Sequence, residues 1–127
     1  MDPMDAIKQT YFQECDELLA SLEEGLLALE AGEADSDTIN AVFRAVHSVK
    51  GGAGAFGFDA MVGFAHVFET TLDAMRSGKL DPDPESVKLM LRAADVLADH
   101  VAAAKGGGAV DETRAHSMAD ELAALVA

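Results

Sequence analysis

The residue best placed to do chemistry is His47, in the run FRAVHSVKGGAGAFGF from Phe43 to Phe58. A neutral imidazole that carries its proton on one nitrogen presents a lone pair on the other, so it is a nitrogen nucleophile near neutral pH. Gly51 and Gly54 follow on the same predicted helix face, although glycine inside a helix costs up to about 1 kcal/mol relative to alanine. We interpret these glycines as positions that lack side chains so that the surface of another protein can approach the imidazole.

Three further side chains are candidates to assist His47. Glu69 lies on the next predicted helix and, if the two helices form a hairpin, could accept a hydrogen bond from the ring N–H and fix the tautomer. Lys50, one turn after His47, could neutralise a transferred phosphate, or could only extend from the edge of the core. His66, three residues before Glu69, could add a hydrogen bond in the same groove or simply flank the core.

The charge of the chain restricts its partners. The net charge is -14, from 23 acidic and 9 basic side chains, so nucleic acid and anionic membrane surfaces are disfavoured. The first 43 residues contain only Lys8 as a base, whereas Arg44 and Lys50 flank His47. This local positive charge favours a docking surface around His47. The docking residues that we predict are Arg44, Ser48, Gly51 and Gly54.

Length and composition indicate one helical domain without a membrane segment. The chain has 127 residues, half of them hydrophobic, and no apolar run approaches the roughly 18 residues that a membrane span needs. There is no signal segment at the start. The single cysteine, Cys15, cannot form an internal disulfide, which agrees with a reducing compartment. We therefore expect a soluble, cytoplasmic protein that is not inserted in a membrane.

Apolar residues recur at steps of three and four, which is typical of amphipathic helices, and no stretch alternates as a strand would. The predicted helices start near residues 3, 36, 59, 84 and 111, the last ending near 126. The expected fold class is all-α, an antiparallel up-and-down four-helix bundle over about 3–105 with an additional fifth helix. A glycine hinge at 106–108 connects the fifth helix to the bundle, so this helix is either docked against the bundle or swings away from it. The expected unit is a single domain, 1–127, cut from a longer chain.

Two other kinds of site match parts of the sequence. Gly52 to Gly57 satisfies the G-x-G-x-x-G dinucleotide fingerprint, but that motif must follow a strand and open a helix, whereas here it closes a helix. His47, His66 and Glu69 offer three metal ligands, but a di-iron bundle needs two Glu-x-x-His pairs and further carboxylates. We therefore predict neither a dinucleotide site nor a metal site.

The run from His47 to Phe58, HSVKGGAGAFGF, resembles the phosphorylation-site signature of the histidine phosphotransfer (HPt) domain of CheA-type chemotaxis histidine kinases. In that family, positions matching His47, Lys50, His66 and Glu69 form a hydrogen-bonded cluster around the phosphorylated histidine. Ala55 departs from the family, because a small hydroxyl residue is expected there. The resemblance continues into His66, Glu69, Leu72, Asp73, Arg76 and Gly78.

The resemblance implies a phosphoryl carrier for two-component chemotaxis signalling rather than a complete enzyme. A kinase domain further along the same polypeptide would use ATP and Mg²⁺, and an aspartate of a CheY-like or CheB-like response regulator, with its own Mg²⁺, would accept the phosphoryl group. This domain itself is expected to bind no cofactor. The sequence has no P-loop and no kinase-type glycine loop. The alternative is a non-catalytic adaptor or dimerisation bundle in which His47 is incidental.

Overall fold

The computed structural model describes residues 2–127, and these contain five α-helices and no β-strand. This confirms the all-α prediction. The predicted domain begins at Met1, which lies outside the described residues. The helices are α1 (Pro3–Glu30), α2 (Ser36–Ala55), α3 (Asp59–Arg76), α4 (Pro84–Ala104) and α5 (Glu112–Ala124).

Four of the five helices begin at an aspartate whose carboxylate accepts a hydrogen bond from a backbone N–H of the first turn. These N-caps are Asp2, Asp35, Asp83 and Asp111. The third helix differs, because Phe58 occupies its N-cap without a side-chain hydrogen bond and Asp59 is its first helical residue. The sequence, with an aspartate just before an apolar helical pattern, predicts Asp59 as the cap of α3, and this prediction is wrong. Its carboxylate still lies in the first turn, where it interacts favourably with the helix dipole.

The turn between α2 and α3 is short because of the backbone at Gly57. This residue adopts a φ of 73°, a left-handed conformation that glycine enters without steric cost. The turn is closed by the N–H of Phe58, which donates to the carbonyl oxygen of Ala53 at 3.0 Å. Such a helix end reverses the chain at once. As a result, α3 returns along α2 and the two helices form a hairpin.

The first four helices form a closed ring around one core. The α1 helix packs against α2 and α4, and α3 packs against the same two helices, so each helix has two neighbours. The apolar stripes face inward, and the largest fully buried side chains come from all of these helices. They include Leu22 and Leu26, Val42 and Val46, Phe68 and Leu72, and Met90 and Leu97.

The fifth helix is docked on the outside of this ring, against α3 and α4. Met118 and Leu122 are buried in that contact. The hydroxyl of Thr71 on α3 donates to the carbonyl oxygen of Leu122 at 3.1 Å, although Thr71 itself is fully buried. Of the two arrangements that the glycine hinge left open, the structure adopts the docked one. Within residues 2–127, none of the helices combines the length and apolar character that crossing a bilayer requires.

Candidate functional site around His47

The His47 ring lies on the outer flank of the α2–α3 hairpin. Its helix turns Val46 and Val49 into the core, where both are fully buried, and this leaves His47 at the edge of the apolar face. The His47 side chain is 59% exposed. The imidazole is therefore accessible to a partner and is not enclosed by its own helices.

A carboxylate of α3 lies beside one edge of this ring. The distance between His47 Nδ1 and Glu69 Oε1 is 3.2 Å, and that between Lys50 Nζ and Glu69 Oε2 is 2.7 Å. The Lys50 contact is at ion-pair distance but is poorly aligned as a hydrogen bond. Glu69 is only 16% exposed, and Lys50 23%. The hairpin thus brings together His47, Lys50 and Glu69.

The charge state of Glu69 follows from these neighbours. Burial raises the pKa of its carboxyl group, but the contacts with Lys50 and His47 act in the opposite direction and together outweigh burial. The pKa of Glu69 therefore lies below its ordinary value, and the side chain is a carboxylate at neutral pH. A carboxylate beside Nδ1 favours the tautomer with the proton on Nδ1. That tautomer leaves the lone pair on Nε2, at the far edge of the ring.

An aromatic ring lies one turn before His47. The rings of Phe43 and His47 are nearly parallel, with centroids 5.9 Å apart and an interplanar angle of 13°. The guanidinium carbon of Arg76, on α3, lies 3.9 Å from the centre of the Phe43 ring, and Arg76 also bonds Asp73 at 2.6 Å. By its helical spacing, Phe43 belongs to the apolar residues of α2 that the sequence predicts to face the core. Its spacing of four residues from His47 is the signal that could have indicated this stacking.

The predicted docking residues share the exposed face of α2 with His47, and they are Arg44, Ser48, Gly51 and Gly54. A methyl group added at Gly51 or Gly54 would meet no other atom within 4 Å, so packing does not require glycine at either position. Gly52 is different, because a methyl group there would overlap the ring of Tyr11 on α1. The three glycines therefore divide into one that packing requires and two that leave bare backbone beside His47.

Residues 6–126 of the chain match the Hpt domain family. The chain belongs to this family. Two curated relatives are both described as chemotaxis protein CheA. The protein of Rhizobium meliloti (strain 1021) is 61% identical over 122 residues, which is 96% of this chain and 16% of the relative. The protein of Cereibacter sphaeroides is 52% identical over 110 residues, 84% of this chain and 16% of the relative. The chain thus spans about a sixth of their length.

Solved structures of Hpt domains have the same fold. The phosphorylated P1 domain of CheA3 in complex with CheY6 from R. sphaeroides superposes with a TM-score of 0.85 at 30% identity, covering 96% of each chain. A solution structure of the histidine phosphotransfer domain of CheA superposes with a TM-score of 0.80 at 27% identity, covering 94% of this chain and 90% of the other. The helical arrangement of this Hpt domain is therefore that of CheA P1 domains.

His66 does not join the cluster of this Hpt domain. Its side chain is exposed, and no hydrogen bond or ion pair to another described residue involves its imidazole. Only the backbone carbonyl of His66 is used, since it accepts a hydrogen bond from the Thr70 hydroxyl at 2.9 Å. The structure thus places Glu69 and Lys50 at His47 and leaves His66 facing solvent. A role for His66 stays a prediction.

The two alternative sites have no structural support in this Hpt domain. Gly52 and Gly54 of the dinucleotide fingerprint lie in the last turns of α2 and follow no strand in the described chain. Over residues 2–127, no group of three or more histidine, cysteine, aspartate or glutamate side chains is placed to hold a metal ion.

Another histidine of this Hpt domain, His100, has a setting that sequence reasoning missed. His100 is only 7% exposed, and its ring lies 5.4 Å, between centroids, from that of Phe64. Its Nε2 atom is buried without a hydrogen-bond partner among the described residues. Burial lowers the pKa of His100, although nearby Asp99 acts weakly in the opposite direction. The buried ring therefore resists protonation.

Proposed function

We propose that His47 of this Hpt domain accepts a phosphoryl group on Nε2 and passes it to an aspartate of a response regulator. The observation that carries this proposal is the carboxylate of Glu69 at the Nδ1 edge of a ring that is otherwise exposed. One nitrogen faces a fixed acceptor, and the other keeps its lone pair on a ring that is 59% exposed. A structural histidine on a helix flank needs no such arrangement.

The proposed chemistry consists of two transfers. In the first, Nε2 attacks the γ-phosphorus of ATP held by a kinase domain, so that an N–P bond forms and the P–O bond to ADP breaks. The ring keeps its Nδ1 proton and becomes cationic, and the Glu69 carboxylate stabilises that charge. In the second, an aspartate oxygen attacks the phosphorus and the N–P bond breaks. The electron pair returns to Nε2, and the neutral imidazole is regenerated.

Lys50 is proposed to neutralise the phosphoryl group. Its ammonium group is held by Glu69 at 2.7 Å, on a flexible stem whose side chain is 23% exposed. An ammonium group is a mobile point charge with three donors, so it can remain near Glu69 while one donor turns to a phosphoryl oxygen. We assign His66 a weaker role, in which its exposed ring contributes a hydrogen bond only after phosphorylation or partner docking.

We further propose the partners that this transfer needs. The donor is a CheA-type kinase domain with ATP and Mg²⁺, and the acceptor is a CheY-like or CheB-like receiver domain with its own Mg²⁺. The complex of a CheA3 P1 domain with CheY6 supports the CheY-like acceptor, because that domain is 30% identical to this one. The ATP requirement places this Hpt domain in the cytoplasm. By itself it is a carrier that binds neither nucleotide nor metal.

The proposal is tested by labelling the domain with radioactive ATP, Mg²⁺ and a CheA kinase core. We expect label that is lost in acid and retained in alkali, as a phosphohistidine requires. His47→Gln should abolish the label, whereas the same substitution at the exposed His116 should retain it. Adding a CheY-like receiver should then remove the label from the domain. Label that persists in the His47→Gln variant would exclude His47 as the acceptor, and an unlabelled wild type would favour an adaptor bundle.

A further inference from the structure

We propose that Phe43 is a positioning residue for the phosphotransfer, and that Arg76 holds Phe43 in the orientation that this role needs. The inference deepens the proposed function and rests on it. In this arrangement Glu69 fixes the edge of the His47 ring, while Phe43 fixes its face. Both constraints on the His47 ring are anchored to α3, through Glu69 and Arg76.

The stacking of Phe43 and His47 restricts the tilt of the imidazole. The two rings are one helical turn apart on α2 and nearly parallel, at 13° with centroids 5.9 Å apart. Phe43 is half-buried and packs against the core, so it offers a fixed surface to a ring that is 59% exposed. A contact with Glu69 alone would still allow the imidazole to tilt by rotating about its Cβ–Cγ bond within the range of that contact. The Phe43 ring opposes that rotation.

Arg76 in turn fixes Phe43 from the neighbouring helix. The guanidinium carbon lies 3.9 Å from the Phe43 ring centre, within the range of a cation–π contact. Asp73, one turn earlier on α3, bonds Arg76 Nη2 at 2.6 Å and so orients the guanidinium plane. The sequence Asp73, Arg76, Phe43, His47 is therefore a continuous series of contacts from α3 to the reacting ring. Packing of the core does not require an arginine at this exposed position.

An oriented ring matters because phosphoryl transfer needs Nε2 in line with the phosphorus. Misalignment of a nucleophile lowers the rate of the chemical step more than it changes the affinity of the docked partner. Loss of an aromatic stack corresponds to about a three- to tenfold change in an equilibrium between oriented and disordered rings. We therefore expect Phe43→Leu to lower kcat for phosphorylation by about three- to tenfold, with KM for the domain unchanged.

The chain offers a matched control in Phe12. This ring is also half-buried, stacks on another ring with centroids 5.9 Å apart, and has a cation, Lys105, above its face. Lys105 is likewise held by an aspartate, Asp16, at 2.8 Å. Phe12→Leu therefore removes the same kind of contact, on α1 instead of beside His47. Equal losses of thermal stability in the two leucine variants would show that the comparison is fair.

Two measurements test the inference on the whole domain. Phosphorylation kinetics should show the kcat loss in Phe43→Leu, little change in Phe12→Leu, and recovery in Phe43→Tyr, which restores the aromatic face. Proton NMR should show the His47 ring protons shifted downfield in Phe43→Leu, because the ring current of Phe43 is removed, and not in Phe12→Leu. Arg76→Met should shift the same protons partly, whereas Arg76→Lys, which keeps the charge, should do so less.

The outcomes separate this inference from the proposed function. If wild type is phosphorylated on His47 but Phe43→Leu retains the wild-type kcat and the wild-type His47 resonances, the positioning role is wrong and the proposed function stands. If wild type takes no label, the proposed function is wrong. The NMR shifts then still decide whether Phe43 orients the ring, because they are measured on the unphosphorylated domain.

Discussion

Glu69 has two contacts, one through each of its carboxylate oxygens. Its Oε1 atom lies beside His47 Nδ1 and its Oε2 atom beside Lys50 Nζ, so one carboxylate connects the proposed nucleophile to the proposed phosphate-binding group. Burial opposes ionisation, yet the neighbours keep the pKa of Glu69 below its ordinary value. The negative charge is thus available where a positive ring would develop.

Replacing Glu69 by Gln tests the charge without changing the shape of the side chain. The amide oxygen of Gln can still accept a hydrogen bond from Nδ1–H, but it cannot stabilise the cationic ring as a carboxylate does. We expect the phosphorylation rate to fall by about tenfold, because a hydrogen bond to a charged group contributes about 1–2 kcal/mol more than one between neutral groups. Circular dichroism and the unfolding midpoint should stay near those of wild type. Unchanged labelling kinetics would remove Glu69 from the mechanism.

At the scale of the helix, α2 packs tightly against the core on one side and leaves the surface around His47 open on the other. One side of its C-terminal half receives the Tyr11 ring at Gly52, and the Tyr11 hydroxyl donates to the carbonyl of Val49 at 2.7 Å. The other side carries Gly51 and Gly54 beside His47, where added methyl groups would meet nothing. Gly52 is thus small because the Tyr11 ring packs against it, whereas Gly51 and Gly54 are small where the surface beside His47 is open.

Alanine substitutions distinguish the packing role from the open positions. Gly52→Ala should destabilise the fold by about 1–3 kcal/mol, because the new methyl group would displace the Tyr11 ring from a filled core. Gly63→Ala, on α3, should instead stabilise it by about 0.5–1 kcal/mol, since glycine is unfavourable in a helix and space is free there. Chemical unfolding measures both effects. A neutral Gly52→Ala variant would contradict the packing assignment.

Gly51 provides the test of access. Gly51→Ala should stabilise the helix about as much as Gly63→Ala, since both methyl groups enter open space. Unlike Gly63→Ala, it adds a methyl group to the surface beside His47, so transfer to a receiver domain should slow by severalfold. Stopped-flow transfer from the phosphorylated domain measures this. If both alanine variants transfer phosphate at the same rate as wild type, the bare backbone has no role in docking.

The helices could be predicted from the sequence because the signals that define them are local. Apolar spacing, aspartate caps and terminal glycines lie within a few residues of the structure they determine. The contact between Glu69 and His47 could be predicted as well, because a tight turn at Gly57 forces α2 and α3 to pair. The contacts of Phe43 with Arg76 and of Tyr11 with Gly52 could not, since they depend on the distance and rotation between helices. The same rotation leaves His66 in solvent.

At the scale of the molecule, we expect His100 to make the stability of the fold depend on pH. It is buried where α4 faces α3 and α5, with burial lowering its pKa and Asp99 opposing that effect weakly. As the pH falls below about 6.5, the usual pKa of histidine, the unfolded chain takes up a proton that the folded state resists. Acidification therefore favours unfolding through this residue. For one proton the slope cannot exceed about 1.4 kcal/mol per pH unit.

His100→Leu should remove this dependence. Between pH 7 and pH 5 we expect the free energy of unfolding to fall less in the variant than in wild type. At low pH, protonation of the acidic side chains also reduces the repulsion between them. This effect is the same in both proteins, so it cancels when the variant is compared with wild type. His116→Leu removes an exposed imidazole and serves as the control. Urea unfolding at a series of pH values provides the data, and parallel curves for wild type and His100→Leu would show that burial of His100 is not linked to protonation.

Under the proposed function, the outward position of His47 on a single flank limits how a kinase and a receiver can use this domain. Kinase and receiver must both reach the same nitrogen, so under the proposed function they compete and cannot be seated together. A large excess of receiver would then slow the rephosphorylation of His47 by the kinase, although the receiver also accepts phosphate from the domain. The overall rate of phosphate flow from kinase to receiver would therefore be highest at an intermediate receiver concentration, because the domain binds only one of the two partners at a time.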